Sequence, residues 1–318
     1  MKVSDLLASR RQSWRELEML CSRLEGAGPS AGAAPIVRFS ALYRAACADL
    51  ALADAYQLPP ATIDYLHRLV GRAHNQLYRS QRFRIGTWAR RLLVDVPRQL
   101  YRDGAFRLAF LIFWGPFLLS IWLAYTVPNF AQQLVDEDMM HQLSEHFANA
   151  PRTDGSPMQG GMAGFYIFNN IGIGLRCFAF GLAFGVGGLF VTLFNASYLG
   201  AVFGHMLSTP QRGNFLEFVT AHGPFELTAI VFSAAAGMRL GFSLVQTGGL
   251  TRSASLRRAA QESMPTMGAA MILFALAALI EAFLSPSAAP YEIKAAVAGV
   301  SAVLLAFYVL VLGRAWRA

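Results

Sequence analysis

The sequence predicts an all-α membrane protein. A cytoplasmic helical bundle over residues 1–85 leads through a basic interfacial helix over 86–105 to a transmembrane domain of about six spans over 106–318. Three observations carry this. The 318 residues are 55% hydrophobic and only 14% charged, where a soluble domain carries roughly 25% charged residues. The deficit is uneven, with arginines crowding residues 1–105 and long uncharged runs following Phe106. Apolar residues before that point recur every three or four positions, the period of an amphipathic helix.

In the first third, Ser4 and Asp5 start a helix with Leu7, Trp14, Leu17, Leu20, Cys21 and Leu24 on one stripe, ended by Gly26 and Gly28-Pro29. Ser30 to Pro35 reads as a small-residue linker. Ser40 caps a second helix carrying Leu42, Ala46, Leu50 and Ala53, stopped by Pro59-Pro60. Thr62 begins a third, with Ile63, Leu66, Val70, Ala73 and Leu77 in line. The stripes bury one another as an antiparallel bundle. Gly86 to Tyr101 differs: Trp88, Leu92, Val96 and Leu100 lie on one side and Arg90, Arg91, Arg98 and Arg102 on the other. That pattern suits a membrane headgroup layer, or alternatively a fourth bundle helix.

Phe106 to Val127 is long enough to cross a hydrocarbon core of ~30 Å. Residues 128–163 are acidic, and 165–207 hold either two crossings about a turn at Gly185, Gly187 and Gly188 or one crossing with a re-entrant half-helix. Pro224–Gln246, Pro265–Leu284 and Ile293–Leu312 each add one. Arginine placement puts both termini and the 252–258 loop in the cytoplasm, with 128–163 outside, in the bacterial inner membrane. No cleavable signal is apparent, because Asp5, Arg10 and Arg11 break any early apolar run, so the first span is expected to target the chain. The net charge of +8 is explained by topology and anionic lipid, and a nucleic-acid partner is not expected. Cys21, Cys47 and Cys177 have neither disulfide nor metal spacing and are expected to be buried. The pairs Gly181/Gly185, Gly200/Gly204 and Gly237/Gly241 are small-xxx-small motifs for close helix packing. They serve internal packing or a homodimer face, and a homodimer is expected from their number.

Polar side chains inside apolar segments carry the functional signal. Asn169, Asn170, His205, His222, Glu226 and Glu281 fall toward the outer side on this topology. Arg176 lies deeper, and Asn195 and Arg239 lie nearer the cytoplasm. Either they line an outward-facing polar cavity or each serves locally. Gly223-Pro224 with Glu226 makes a good helix start, the asparagines can cross-link helices, and Arg176 can neutralise a carboxylate. His205, His222, Glu226 and Glu281 are also the donor types that bind zinc, although the chain has no HExxH. It has no P-loop and no evident Ser/Cys–His–Asp arrangement, so neither a cofactor nor an enzymatic activity is read from it.

Several stretches resemble the stage II sporulation protein M family of integral membrane proteins. In the first third these are ALYRAACADLALADAY and LHRLVGRAHNQLYRS. In the membrane part they are FYIFNNIGIGLRCFAFGLAFGVGGLFVTLFNASYLGAVFGHM, FVTAHGPFELTAIVFSAAAGMRLGFSLV and AALIEAFLSP. The most specific elements are the HGxxE run His222-Gly223-Pro224-Phe225-Glu226 and Asn169-Asn170. Asn195-Ala196 departs from the Asn-Gly that family members often carry. The resemblance implies a scaffold or assembly role. The named member belongs to a complex that holds peptidoglycan-cutting enzymes at the septum of spore formers, and sporulation itself is not implied. Membrane lipids and other envelope proteins are the partners this suggests. The remaining readings are a transporter or channel for a lipid-linked or small anionic substrate, and a membrane-embedded metallohydrolase.

Overall fold

The computed structural model describes residues 9–26, 33–77, 85–148 and 158–315. All regular structure in these residues is helical. The chain divides into two compact units, Met1–Arg84 and Ile85–Ala318.

The first unit holds α1 (Arg11–Gly26), α2 (Ala33–Ala55) and α3 (Pro60–Leu77). Its core unites Trp14, Leu17 and Cys21 of α1 with Phe39, Leu42, Ala46 and Ala53 of α2 and Leu66, Leu69 and Ala73 of α3. Leu50, Val70 and Leu77 are partly buried against it. Leu7 lies outside the described residues, as does the Leu24 side chain. The trio is pinned by polar contacts. Trp14 Nε1 donates to Asp49 Oδ2 at 2.8 Å within the core, and Arg38 grips Glu16 through two bonds of 2.8 and 2.6 Å. One boundary differs from the expected one. α2 begins at Ala33, because Pro35 fits a first helical turn that lacks N–H partners anyway. Ser40 is therefore inside the helix, its hydroxyl donating back to the Val37 carbonyl. Cys47 is half-buried rather than buried.

The second unit opens with α4 (Ile85–Arg90), a π-helical turn (Arg91–Asp95) and α5 (Val96–Arg102). Residues 86–105, set apart by their sequence pattern, pack into this unit: Val96, Leu100 and Ala105 join its core. Tyr308 near the chain's end donates to the Leu92 carbonyl of the π turn. There follow α6 (Gly104–Thr126), α7 (Glu137–His146), α8 (Met158–Gly181), α9 (Val186–Ser208), α10 (Arg212–Val219), α11 (Gly223–Ser243), α12 (Arg252–Phe283) and α13 (Tyr291–Ala306), the last continued by a π-helical stretch, Phe307–Leu312. Among the described residues, five segments are long and apolar enough to cross a membrane: α6, α9, α11, α12 and Tyr291–Leu312. α8, with 24 residues, is about 36 Å long at 1.5 Å per residue. It supplies the length of a sixth crossing, although it does not join the five on hydropathy.

The acidic 128–163 stretch is not all loop, since α7 and the start of α8 lie in it. α12 also starts well before the expected Pro265. The Thr251 side chain accepts from Ala254 N and caps a 32-residue helix that runs through the proline. α11 is the central helix, buried along Ala229–Met238. Glycines let it sit there. A Cβ on Gly237 would collide with the Phe178 backbone, and one on Gly241 with Gly181 and Gly185. Gly200 and Gly204 meet the α6 backbone at Phe117 and Ile121 in the same way. Gly185, at φ +81°, makes the left-handed turn between α8 and α9. All three glycine pairs are thus spent on packing within the chain, and they lend a homodimer no support.

Candidate functional site

α11 carries polar groups at both ends. Its first turn is built by the run His222-Gly223-Pro224-Phe225-Glu226. Pro224 occupies one of the first two helical positions, where its missing N–H costs nothing. His222 stands at the N-cap, and its carbonyl accepts from Glu226 N at 3.2 Å. The helix therefore begins directly after His222 and still leaves His222 and Glu226 one turn apart on one face. His222 Nε2 lies 3.7 Å from Glu226 Oε2. The Phe218 ring meets the imidazole edge-to-face at 5.7 Å.

The last turn of α12 brings Glu281 to the same place. Donor atoms of His222, Glu226 and Glu281 all lie within 4.8 Å of one another. Around them, Ser285 Oγ is 3.0 Å from His222 Nδ1, and Asn170 of α8 donates from Nδ2 to Glu281 Oε2 at 3.2 Å. Asn169 donates to Asn170 Oδ1 at 3.2 Å, extending the chain of contacts toward the surface. His222 and Asn170 are 4% and 2% exposed, so this is an interior polar cluster. Burying such groups is costly unless they satisfy one another or a bound cation.

Other polar residues flagged by the sequence lie elsewhere. His205 of α9 falls outside the cluster. Arg176 is exposed on α8, and among the described residues it forms no ion pair with either carboxylate. For His205 the cause is simple: depth along a helix fixes a residue's level but not the face it occupies. Asn195 turns inward on its own helix, donating to the Val191 carbonyl at 2.8 Å.

One functional-looking residue, Lys294, gave little warning in the sequence. Lys294, only 2% exposed, donates to the Ser285 and Ser287 carbonyls at 2.8 and 3.1 Å and lies 4.0 Å from Glu217. It thereby ties together the turn that follows α12. Its signal is that no other Lys or Arg occurs between Arg258 and Arg314. Beside it, Glu217, Phe218, Ser287 and Lys294 help line a cleft of about 300 Å³. At the far end of α11, Arg239 reaches Asp103 Oδ2 at 3.2 Å, while Asp103 Oδ1 caps α6 through Ala105 N at 2.9 Å. Burial holds the Asp103 carboxyl above its ordinary value, outweighing the pull of Arg239.

This arrangement defines a multi-pass α-helical membrane protein with a polar cluster at one end of its central helix. A family model confirms and narrows that class: stage II sporulation protein M matches residues 109–286, more than half of the chain, and the chain belongs to that family. Asn169-Asn170, the His222–Glu226 run and Glu281 all fall within the match. Residues 4–79 match a separate domain of unknown function, DUF8413. No curated protein and no solved structure matches the chain.

Proposed function

We propose that this chain is a non-enzymatic scaffold of the bacterial inner membrane, with both termini and the first helical unit in the cytoplasm. In this role it assembles envelope proteins. The observation that carries the reading is the division into two self-contained units. One is a bundle with its own core, matched by its own family model, and the other is a membrane unit whose central helix is locked at both ends. A rigid membrane anchor bearing a separately folded module suits the joining of partners, and the role implied by the family points the same way. The cleft beside Lys294 is the feature that favours transport, but it fits an anionic substrate poorly. Two of the ammonium's donors already serve carbonyls and Glu217 stands at 4.0 Å.

Reconstitution tests this directly. Vesicles holding the purified chain are expected to show the same ion and anion leak as protein-free vesicles. In native membranes, the chain is expected to migrate in a complex well above its own mass. Protein-dependent flux together with migration as a lone chain would refute the scaffold and favour the transporter.

A further inference from the structure

We infer that His222, Glu226 and Glu281 form a site for one divalent metal ion of the zinc class. This goes beyond the scaffold role and does not depend on it.

The donor set is one imidazole and two carboxylates, which suits zinc and its neighbours better than magnesium, a cation that retains water and seeks oxygen alone. The spacing also fits. Ligands about 2.1 Å from a tetrahedral zinc stand about 3.4 Å apart. His222 Nε2 and Glu226 Oε2 are 3.7 Å apart, too long for a hydrogen bond and close to that edge. The whole set lies within 4.8 Å, so closure around an ion requires movement of about an ångström.

The surroundings orient the donors as outer-shell partners of a metal site do. Ser285 Oγ stands 3.0 Å from His222 Nδ1, and in the tautomer that donates from Nδ1 to that hydroxyl, Nε2 presents its bare lone pair to the cluster. Asn170 holds one oxygen of Glu281, and among the described residues no hydrogen bond reaches the other oxygen or the Glu226 carboxylate. Among the described residues, no lysine or arginine pairs with either carboxylate. Lys294 is turned to the Ser285 and Ser287 carbonyls of the α12–α13 turn and to Glu217, and Arg176 is exposed on α8. A divalent cation supplies the missing charge, and three protein ligands leave a fourth position open for water or another ligand.

The test uses the full chain, purified in detergent without a polyhistidine tag, stripped with chelator and loaded with zinc alone. Metal retained after gel filtration is counted by plasma mass spectrometry. The expected result is one zinc per chain. It should fall to background in the double variant Glu226→Gln/Glu281→Gln and be unchanged in Glu217→Gln, which lies outside the cluster. Should the double variant fail to fold, Ser285→Ala removes only the orienting hydroxyl and is expected to weaken zinc binding by about 10–100-fold. Wild-type protein that is folded yet retains no zinc would overturn the site, leaving the two carboxylates to share protons. Retention unaltered in Ser285→Ala and in a folded double variant would overturn it too.

Discussion

Leu66→Ala probes the packing of the first unit. Leu66 is fully buried on α3, within a core drawn from all three helices of that unit. Removing three carbon atoms forfeits about 2.4 kcal/mol of transfer free energy at ~0.8 kcal/mol per methylene. The cavity left behind raises the expected cost to roughly 2–5 kcal/mol. Because the chain holds two compact units, global unfolding would blur the effect. Hydrogen exchange of the full-length protein in detergent, read on peptides from α1 and α3, isolates it. At about 1.4 kcal/mol per decade, exchange through opening of the unit should accelerate by a factor of about thirty at the least. Met19→Ala is the control, since Met19 is 57% exposed, and it should shift stability by less than about 0.5 kcal/mol. Equal exchange in wild type and Leu66→Ala would refute the assignment of this core.

Further outcomes follow from particular contacts. Gly241→Ala places a Cβ against the Gly181 and Gly185 backbone and should lower the thermal midpoint of the membrane unit. Gly299→Ala meets nothing within 4 Å and should be neutral or raise it. Asp103→Ala removes the α6 cap and strands Arg239, for a loss of about 1–3 kcal/mol in detergent denaturation, and Asp103→Asn should recover the capping share. The hydrogen bonds from Arg38 hold the Glu16 carboxyl below its ordinary value. Its contribution is therefore complete above the ordinary carboxylate range and is lost as acid carries the pH down through the lowered value. Glu16→Gln should flatten the stability of the first unit over that acid range only, as read by circular dichroism. In a chain with Cys21, Cys47 and Cys177 replaced, an impermeant thiol reagent should label Glu145→Cys from outside the cell and spare Arg257→Cys. The reverse pattern would invert the topology.

The sequence made helix identity plain and helix faces harder to read. Periodicity located Leu17 and Leu66 correctly because one buried stripe against two neighbours is a local property. The turn at Gly185 was legible for the same reason, since a glycine cluster between two apolar runs has few other uses. The start of α12 was not legible. Pro265 resembles a first-turn residue, and only tertiary packing, which buries Ser263, Pro265 and Thr266, carries the helix through it. The meeting of His222, Glu226 and Glu281 was readable from spacing and depth together. Depth alone drew in His205, and the need for a counter-charge drew in Arg176, but neither joins the cluster. Ser285 and Lys294 were missed because their roles depend on how the α12–α13 turn folds back, and no periodic pattern encodes that.

The scaffold role is tested most directly by photocrosslinking in intact cells, with the reactive residue introduced at exposed positions of the first unit such as Met19, Asp64 or Arg68. The account predicts a discrete adduct with a second envelope or membrane protein. That adduct should vanish when Leu17→Asp breaks the bundle's core. A chain that yields no protein adduct from any exposed position would contradict it.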